Sequence, residues 1–323
     1  MSLLAVENLR VAIKTAEGPV EAVRDVSFAL EPRTVLGIVG ESGSGKSMTA
    51  LAIIRLLPPG AAAAGRVTYK GRDLLARSEA EMCRIRGNAI SMVFQEPMTS
   101  LNPLHTAGAQ IVESLRLHRG LVRREAEAEA LRLLERVGIP EARRRMMAYP
   151  HQLSGGQRQR VMIAMALSCG PDILIADEPT TALDVTTQRQ VLDLLDELVA
   201  ESGMAMILIS HNLAMIGERA DHVAVMYCGR IVETAPTGAL FGTLAHPYTR
   251  GLFAALPRLG ARAGTRLPAI PGTVPDLAQL GAGCAFADRC ALVSARCRAD
   301  APELETAMPG HRVACFNRER ETP

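Results

Sequence analysis

Between Gly40 and Ser47 the chain reads Gly40-Glu41-Ser42-Gly43-Ser44-Gly45-Lys46-Ser47, with Met48 next. Glycines at this spacing let the backbone wrap closely around an anion, so that successive N–H groups and the start of a helix point at it. Lys46 is placed to reach the β- and γ-phosphates of a nucleotide, and the Ser47 hydroxyl to ligate Mg²⁺. The sequence holds only three lysines, Lys14, Lys46 and Lys70, and otherwise carries positive charge on arginine. A lysine inside this loop therefore marks a place where a compact point charge is wanted. The apolar run TVLGIVG before the loop and a helix from Lys46 after it are the context that gives the pattern GxxxxGK[ST] its meaning.

Further along lie Gln95 in VFQEP, the run Leu153-Ser154-Gly155-Gly156-Gln157-Arg-Gln-Arg160, the apolar ILIAD ending at Asp177 and followed by Glu178, then Thr181-Ala-Leu-Asp184, and His211 after MILIS. Taken singly, an Asp-Glu pair after a strand is often a helix cap and a lone His is often structural. In this order, with the glycine loop, the six motifs resemble those of the ABC ATPases. The resemblance implies ATP as substrate and Mg²⁺ held by Ser47, Gln95 and, through water, Asp177. It also implies Glu178 as the group that polarises the attacking water, with His211 and Gln95 positioning it. Ser154, Gly155, Gly156 and Gln157 form a second anion cradle, and in the family this signature closes on the ATP of a partner subunit, with Asp184 in the adjoining D-loop. One departure concerns adenine: the family places an aromatic residue in the first strands, and the matching position here is Ile13, with Tyr69 or another residue as a substitute.

The stretches QEPMTSLNPLHT, ADEPTTALDVTTQ, VMYCGRIVE and HPYTRGLFAALP narrow the resemblance to the ATPase subunits of bacterial dipeptide and oligopeptide importers, over about Leu3 to Phe316. It implies an ATP-hydrolysing subunit that powers peptide import. Its partners would be a second ABC ATPase subunit of the sister kind, two membrane permease subunits and, indirectly, a substrate-binding protein outside the membrane. The place of work would be the cytoplasmic face of the inner membrane. Nickel complexes, glutathione or antimicrobial peptides are alternative cargoes. A redox-sensing ABC regulator is the rival from another class, and intact Glu178 and His211 argue against it. Asn212 stands where the subfamily commonly has Asp.

Four of the seven cysteines, Cys284, Cys290, Cys297 and Cys315, crowd into the tail with five, six and seventeen residues between them. Structural zinc sites present close pairs, and none occurs here. Four such thiolates can hold an iron–sulfur cluster; zinc and reduced, packed thiols are the other readings. The family resemblance implies a [4Fe–4S] centre. The tail is expected to lie outside the phosphate site and to leave nucleotide binding alone.

The elements that must position these residues follow from hydropathy. LLAVENL, VEAVRDVSFAL and TVLGIVG read as strands, and HTAGAQIVESLRLHRG and RREAEAEALRLLERVG as amphipathic helices. DILIAD and MAMILIS read as buried parallel strands joined by a helix that buries Val191, Leu192, Leu195, Leu198 and Val199. The expected fold class is α/β. Its ATPase core spans 1–256, with an antiparallel β subdomain and a helical subdomain at about 97–169, and a Cys-rich module follows at 257–323. Lys and Arg number 36 against 34 Asp and Glu, Trp is absent and aromatics are 3%, which excludes the basic or stacking surface of a nucleic-acid binder. No apolar run reaches the roughly 18 to 20 residues of a membrane span, and Glu7 and Asn8 interrupt any leader. The expectation is a soluble chain that stays inside the cell.

Overall fold

A computed structural model describes residues 2–96, 100–181, 183–256 and 268–318. The expected start of the helical subdomain at 97, Ala182 of the D-loop motif and the expected boundary at 257 lie outside these residues. The strands are β1 (Leu4–Thr15), β2 (Gly18–Leu30), β3 (Val35–Val39), β4 (Ala61–Tyr69), β5 (Arg72–Asp73), β6 (Ile90–Val93), β7 (Ile173–Asp177), β8 (Ala205–Ser210), β9 (His222–Tyr227), β10 (Arg230–Pro236), β11 (Glu305–Met308) and β12 (His311–Val313). The chain forms two compact units. One comprises 1–30, 35–75 and 210–323, the other 31–34 and 76–209.

In the first unit β1 and β2 form a long antiparallel hairpin, and the sheet order is β2-β1-β4-β5. Alternation decides which face packs: Leu4, Val6, Leu9, Val11, Val23 and Val26 are buried among polar neighbours. The alanine run Ala61 to Ala64, compositionally plain, is the first half of β4 and pairs with Arg10 to Ile13. β3 pairs with β9 in parallel, and β9 with β10 antiparallel. The tail does not stay loop-like. β12 adds to the edge of β10, pairing Val313 with Glu233, and β11 adds to β12. This junction encloses a fully buried hydrogen bond between His311 Nε2 and Glu233 Oε1 at 2.8 Å.

In the second unit β6, β7 and β8 are parallel in the order β8-β7-β6. Every residue of β7 and β8 is buried, which explains their continuous apolar sequences. The crossover helix Val185–Ser202 buries Val191, Leu192, Leu195, Leu198 and Val199, the stripe expected from spacing, and ends at Gly203 in the left-handed conformation. Helices Ala107–Arg119 and Arg123–Arg136 fall on the two amphipathic segments, the first capped by Thr106 and closed by left-handed Gly120. Among the described residues no helix is long and apolar enough to cross a membrane.

Candidate functional site

The glycine loop joins β3 to the helix Lys46–Ile53 as expected. Gly45 caps that helix at φ +97°, where a Cβ would stand 2.6 Å from the Ala22 carbonyl oxygen; a Cβ on Gly40 would meet the Met226 carbonyl at 2.2 Å. Only glycine fits both places. The helix N-terminus carries neither a side-chain cap nor an acidic residue in its first turn, so its positive end faces an anion unopposed. Lys46 is buried, and its Nζ donates to the carbonyls of Gly40 at 2.8 Å and Glu41 at 2.9 Å. The ammonium is thereby held inside the loop it serves.

In the second unit Asp177 ends β7 with 3% of its surface exposed. Glu178 follows at φ +45°, a left-handed conformation that costs a non-glycine residue energy and turns its side chain away from the strand direction. Two donors converge on its Oε2: Thr181 Oγ1 at 2.9 Å and Gln95 Nε2 at 3.3 Å. The structure thus brings Gln95 and Glu178 together and adds Thr181, which sequence reasoning passed over as part of a motif. His211 lies just past β8, and the next residue, Asn212, caps the helix Leu213–Arg219 by accepting from Ala214 N and Met215 N. An Asn side-chain oxygen does this as an Asp would, which accounts for the tolerated departure.

Ser154 caps the helix Gly155–Leu167 in a reciprocal box: Gln157 N donates to Ser154 Oγ at 3.3 Å and Ser154 N to Gln157 Oε1 at 3.1 Å. A Cβ on Gly156 would come within 2.9 Å of Thr187 Cγ2. Thr187 also donates through Oγ1 at 2.6 Å and its N–H at 3.0 Å to Asp184, and these bonds hold the Asp184 carboxyl below its usual range. Thr187 thus bonds Asp184 and leaves room beside Gly156 only for a residue without a side chain.

Ile13 lies near the hairpin end of β1, opposite Val20 and Ala61. Tyr69 is buried and pairs with Leu4 at the other end of the strand. Nine residues of strand separate the two, about 30 Å, so Tyr69 does not stand in for a stacking residue at Ile13.

The four tail cysteines line a single small pocket with His246, Phe286 and Asn317. Backbone and amide donors face the sulfurs: Leu292 N to Cys290 Sγ at 3.3 Å and Asn317 Nδ2 to Cys297 Sγ at 3.5 Å. Burial pushes the thiols of Cys284 and Cys290 up and that of Cys315 to about 11. Among the described residues no group of three or more His, Cys, Asp or Glu is placed to hold one metal ion. His246 is kept neutral by burial, which lowers it to about 4, and its Nδ1 accepts from Tyr248 N at 3.0 Å.

Two residues that the sequence did not single out bear on the phosphate loop. Tyr248 Oη accepts from Glu41 N at 2.8 Å, and the Arg289 guanidinium forks onto both carboxylate oxygens of Glu41 at 2.6 and 3.0 Å. The expectation that the tail lies clear of this loop is corrected by that contact.

Comparison with known proteins fits this geometry. The model of the family described as ABC transporter matches residues 23–181, and that described as Oligopeptide/dipeptide transporter, C-terminal region, matches 232–297. A putative peptide import ATP-binding protein of Brucella abortus is 52% identical over 97% of this chain and 96% of its own length. The chain belongs to the ABC transporter family. A probable peptide ABC transporter ATP-binding protein of Sinorhizobium fredii is 48% identical over 97% of this chain and 94% of its own. Among solved structures, a dimeric ATP-binding cassette in a post-hydrolysis state bound to ADP and Pi matches with a TM-score of 0.65 and 30% identity. It covers 72% of this chain and 98% of the other. The fold is that of the ABC ATPases, and ATP with Mg²⁺ is the substrate form it takes.

Proposed function

We propose that this chain is the ATP-hydrolysing subunit of an importer that carries dipeptides and oligopeptides through a membrane permease. The observation that carries the reading is 52% identity over nearly the full length to a protein named for peptide import, together with the oligopeptide-transporter match at 232–297. In this reading the ATPase unit spans 1–256, with its helical part at about 97–169, and the Cys-rich module spans 257–323. Residues 40–48 bind the phosphates, and Ser47, Gln95 and Asp177 hold Mg²⁺, which supplies charge neutralisation at the phosphates. Glu178 takes the proton of the attacking water while Gln95, Thr181 and His211 keep it in place. Ser154 to Gln157 and Asp184 face the nucleotide of a second ATPase subunit, and an apolar Ile13 covers one face of adenine.

The permease is proposed to dock on the groove formed by helices Ala107–Arg119 and Arg123–Arg136. There Leu117 and Met147 are 74% and 70% exposed beside Arg116 and Arg143. A side chain so apolar and so bare is suited to burial against a partner. The chain would then sit on the cytoplasmic face of the membrane, held by protein contacts.

Cys284, Cys290, Cys297 and Cys315 are proposed to hold a [4Fe–4S] cluster. One observation supports it: all four thiols line one pocket, and four thiolates are the ligand set of such a cluster. Anaerobic purification of the full chain should give iron and acid-labile sulfide, and Cys290→Ser should lose both; one zinc and no iron per chain would refute the assignment. The transport reading is tested by reconstituting the chain with its permease and binding protein. Hydrolysis should rise with binding protein loaded with peptide, and stimulation by nickel complexes or glutathione alone would replace the cargo.

A further inference from the structure

Glu41 puts a carboxylate into the phosphate loop next to Gly40, and like charges repel. The structure shows it pinned from three sides. Its N–H donates to Tyr248 Oη, its carbonyl accepts from Lys46 Nζ, and its carboxylate is forked by Arg289. Arg289 is itself fixed: its side chain is 5% exposed, Nε donates to the Pro271 carbonyl at 2.9 Å and Nη1 to Tyr227 Oη at 3.3 Å. Tyr227, Tyr248 and Phe286 pack ring against ring at 4.6 to 5.5 Å and wall in the guanidinium. Bonding to Glu41 raises the Arg289 pKa further, so the cation is permanent. The next residue in the chain is Cys290.

We infer that Arg289, reaching from the tail, is a positioning residue of the ATP site: it neutralises Glu41 and holds the phosphate loop open for the nucleotide. A bidentate guanidinium both cancels the opposing charge and fixes the carboxylate in one place, which a solvated lysine would not do. A loop already set in its binding shape loses less freedom when the phosphates arrive. The tail is thus part of the nucleotide site, and not an appendage to it.

The inference rests on the reading of residues 40–47 as the phosphate loop, and the experiment separates the two. With the purified full chain, MgATP affinity is measured by fluorescent-nucleotide displacement for Lys46→Ala, Arg289→Gln, Glu41→Gln and the double variant Arg289→Gln/Glu41→Gln. Arg289→Gln is expected to weaken MgATP binding about tenfold, the effect of leaving a charged partner unmatched. It should raise KM while leaving kcat at saturating ATP within about twofold. Removing the stranded carboxylate should restore much of the loss, so the double variant binds ATP more tightly than Arg289→Gln alone. A purely structural arginine would not be rescued in this way. Where Arg289→Gln does not fold, Arg289→Lys is used; it keeps the charge, loses the fork, and should weaken binding by about threefold. If Lys46→Ala weakens binding while a folded Arg289 variant stays within twofold of the parent, or the double variant binds no better than the single, the inference is overturned. If Lys46→Ala has no effect, the phosphate-loop reading itself falls.

Discussion

Replacing Glu178 by Gln tests the assignment of the water-activating group, and the structure says what the change would leave in place. Two donors to the side chain, Thr181 Oγ1 and Gln95 Nε2, reach the same oxygen, Oε2. An amide in the same rotamer presents its carbonyl oxygen there and keeps both bonds, while the backbone bond from Glu178 N to Ile209 O at 2.9 Å does not involve the side chain. These contacts are therefore kept while basicity and charge are lost. Positioned general bases contribute about 10²- to 10⁴-fold, or roughly 3 to 5 kcal/mol of barrier. The assay is single-turnover hydrolysis of labelled ATP by the isolated chain at high concentration, where every site is its own, beside equilibrium nucleotide binding. Hydrolysis should fall by about a hundredfold or more with affinity within about twofold, and the ATP-bound dimer should persist on a sizing column. Turnover at the parental rate would refute the role of Glu178.

Ile13→Tyr should tighten ATP binding by no more than about tenfold, the reach of an aromatic stacking gain of roughly 0.5 to 1.5 kcal/mol, and should not change affinity for inorganic triphosphate. Equal affinity for ATP before and after the change would place the base elsewhere. Glu233 carries a pH dependence. Burial raises its pKa, but His311 Nε2 and the N–H groups of Ala245 and His246 outweigh this and hold it below the ordinary carboxylate range. A depressed carboxyl stabilises the fold above its unfolded pKa and loses that contribution as pH falls through the folded one. Glu233→Gln should therefore cost about 2 kcal/mol at pH 7 and flatten the loss of stability below about pH 4.5, read by urea melts across pH; an unchanged acid slope would refute it. Ser154→Asp should keep the helix cap, and with it the melting temperature, yet abolish ATP-dependent dimerisation through charge repulsion; retained dimers would show that Ser154 does not meet a nucleotide.

Local chemistry was legible and long-range contact was not. The helix start at Lys46 and the stripe from Val191 to Val199 follow from residues a few positions apart, so spacing carries them. The fork of Arg289 on Glu41 joins residues 248 apart, and no periodicity records such a meeting. Strand β12 was hidden for the same reason: His311-Arg-Val313 is too short to declare itself, and becomes a strand because Glu233 in β10 offers both a backbone edge and a buried partner for His311. Thr181 was missed because its motif drew attention to Asp184, although a hydroxyl three residues after a carboxylate is within reach of it in a tight turn.

Three residues that the family resemblance marked share a structural role. Ser154, Asp184 and Asn212 are all helix N-caps, and a cap has a sequence signature of its own. Capping also leaves chemistry to spare. Ser154 Oγ uses a lone pair to accept from Gln157 N, which fixes the oxygen but leaves the hydroxyl proton to be donated outward. A helix start held by Ser can therefore be rigid and still offer an anion one more donor than its backbone alone. Asp184, as a carboxylate, offers only acceptors, and both of its oxygens are engaged by Thr187. The same capping geometry thus yields a donor site at one helix and a fixed negative charge at the next.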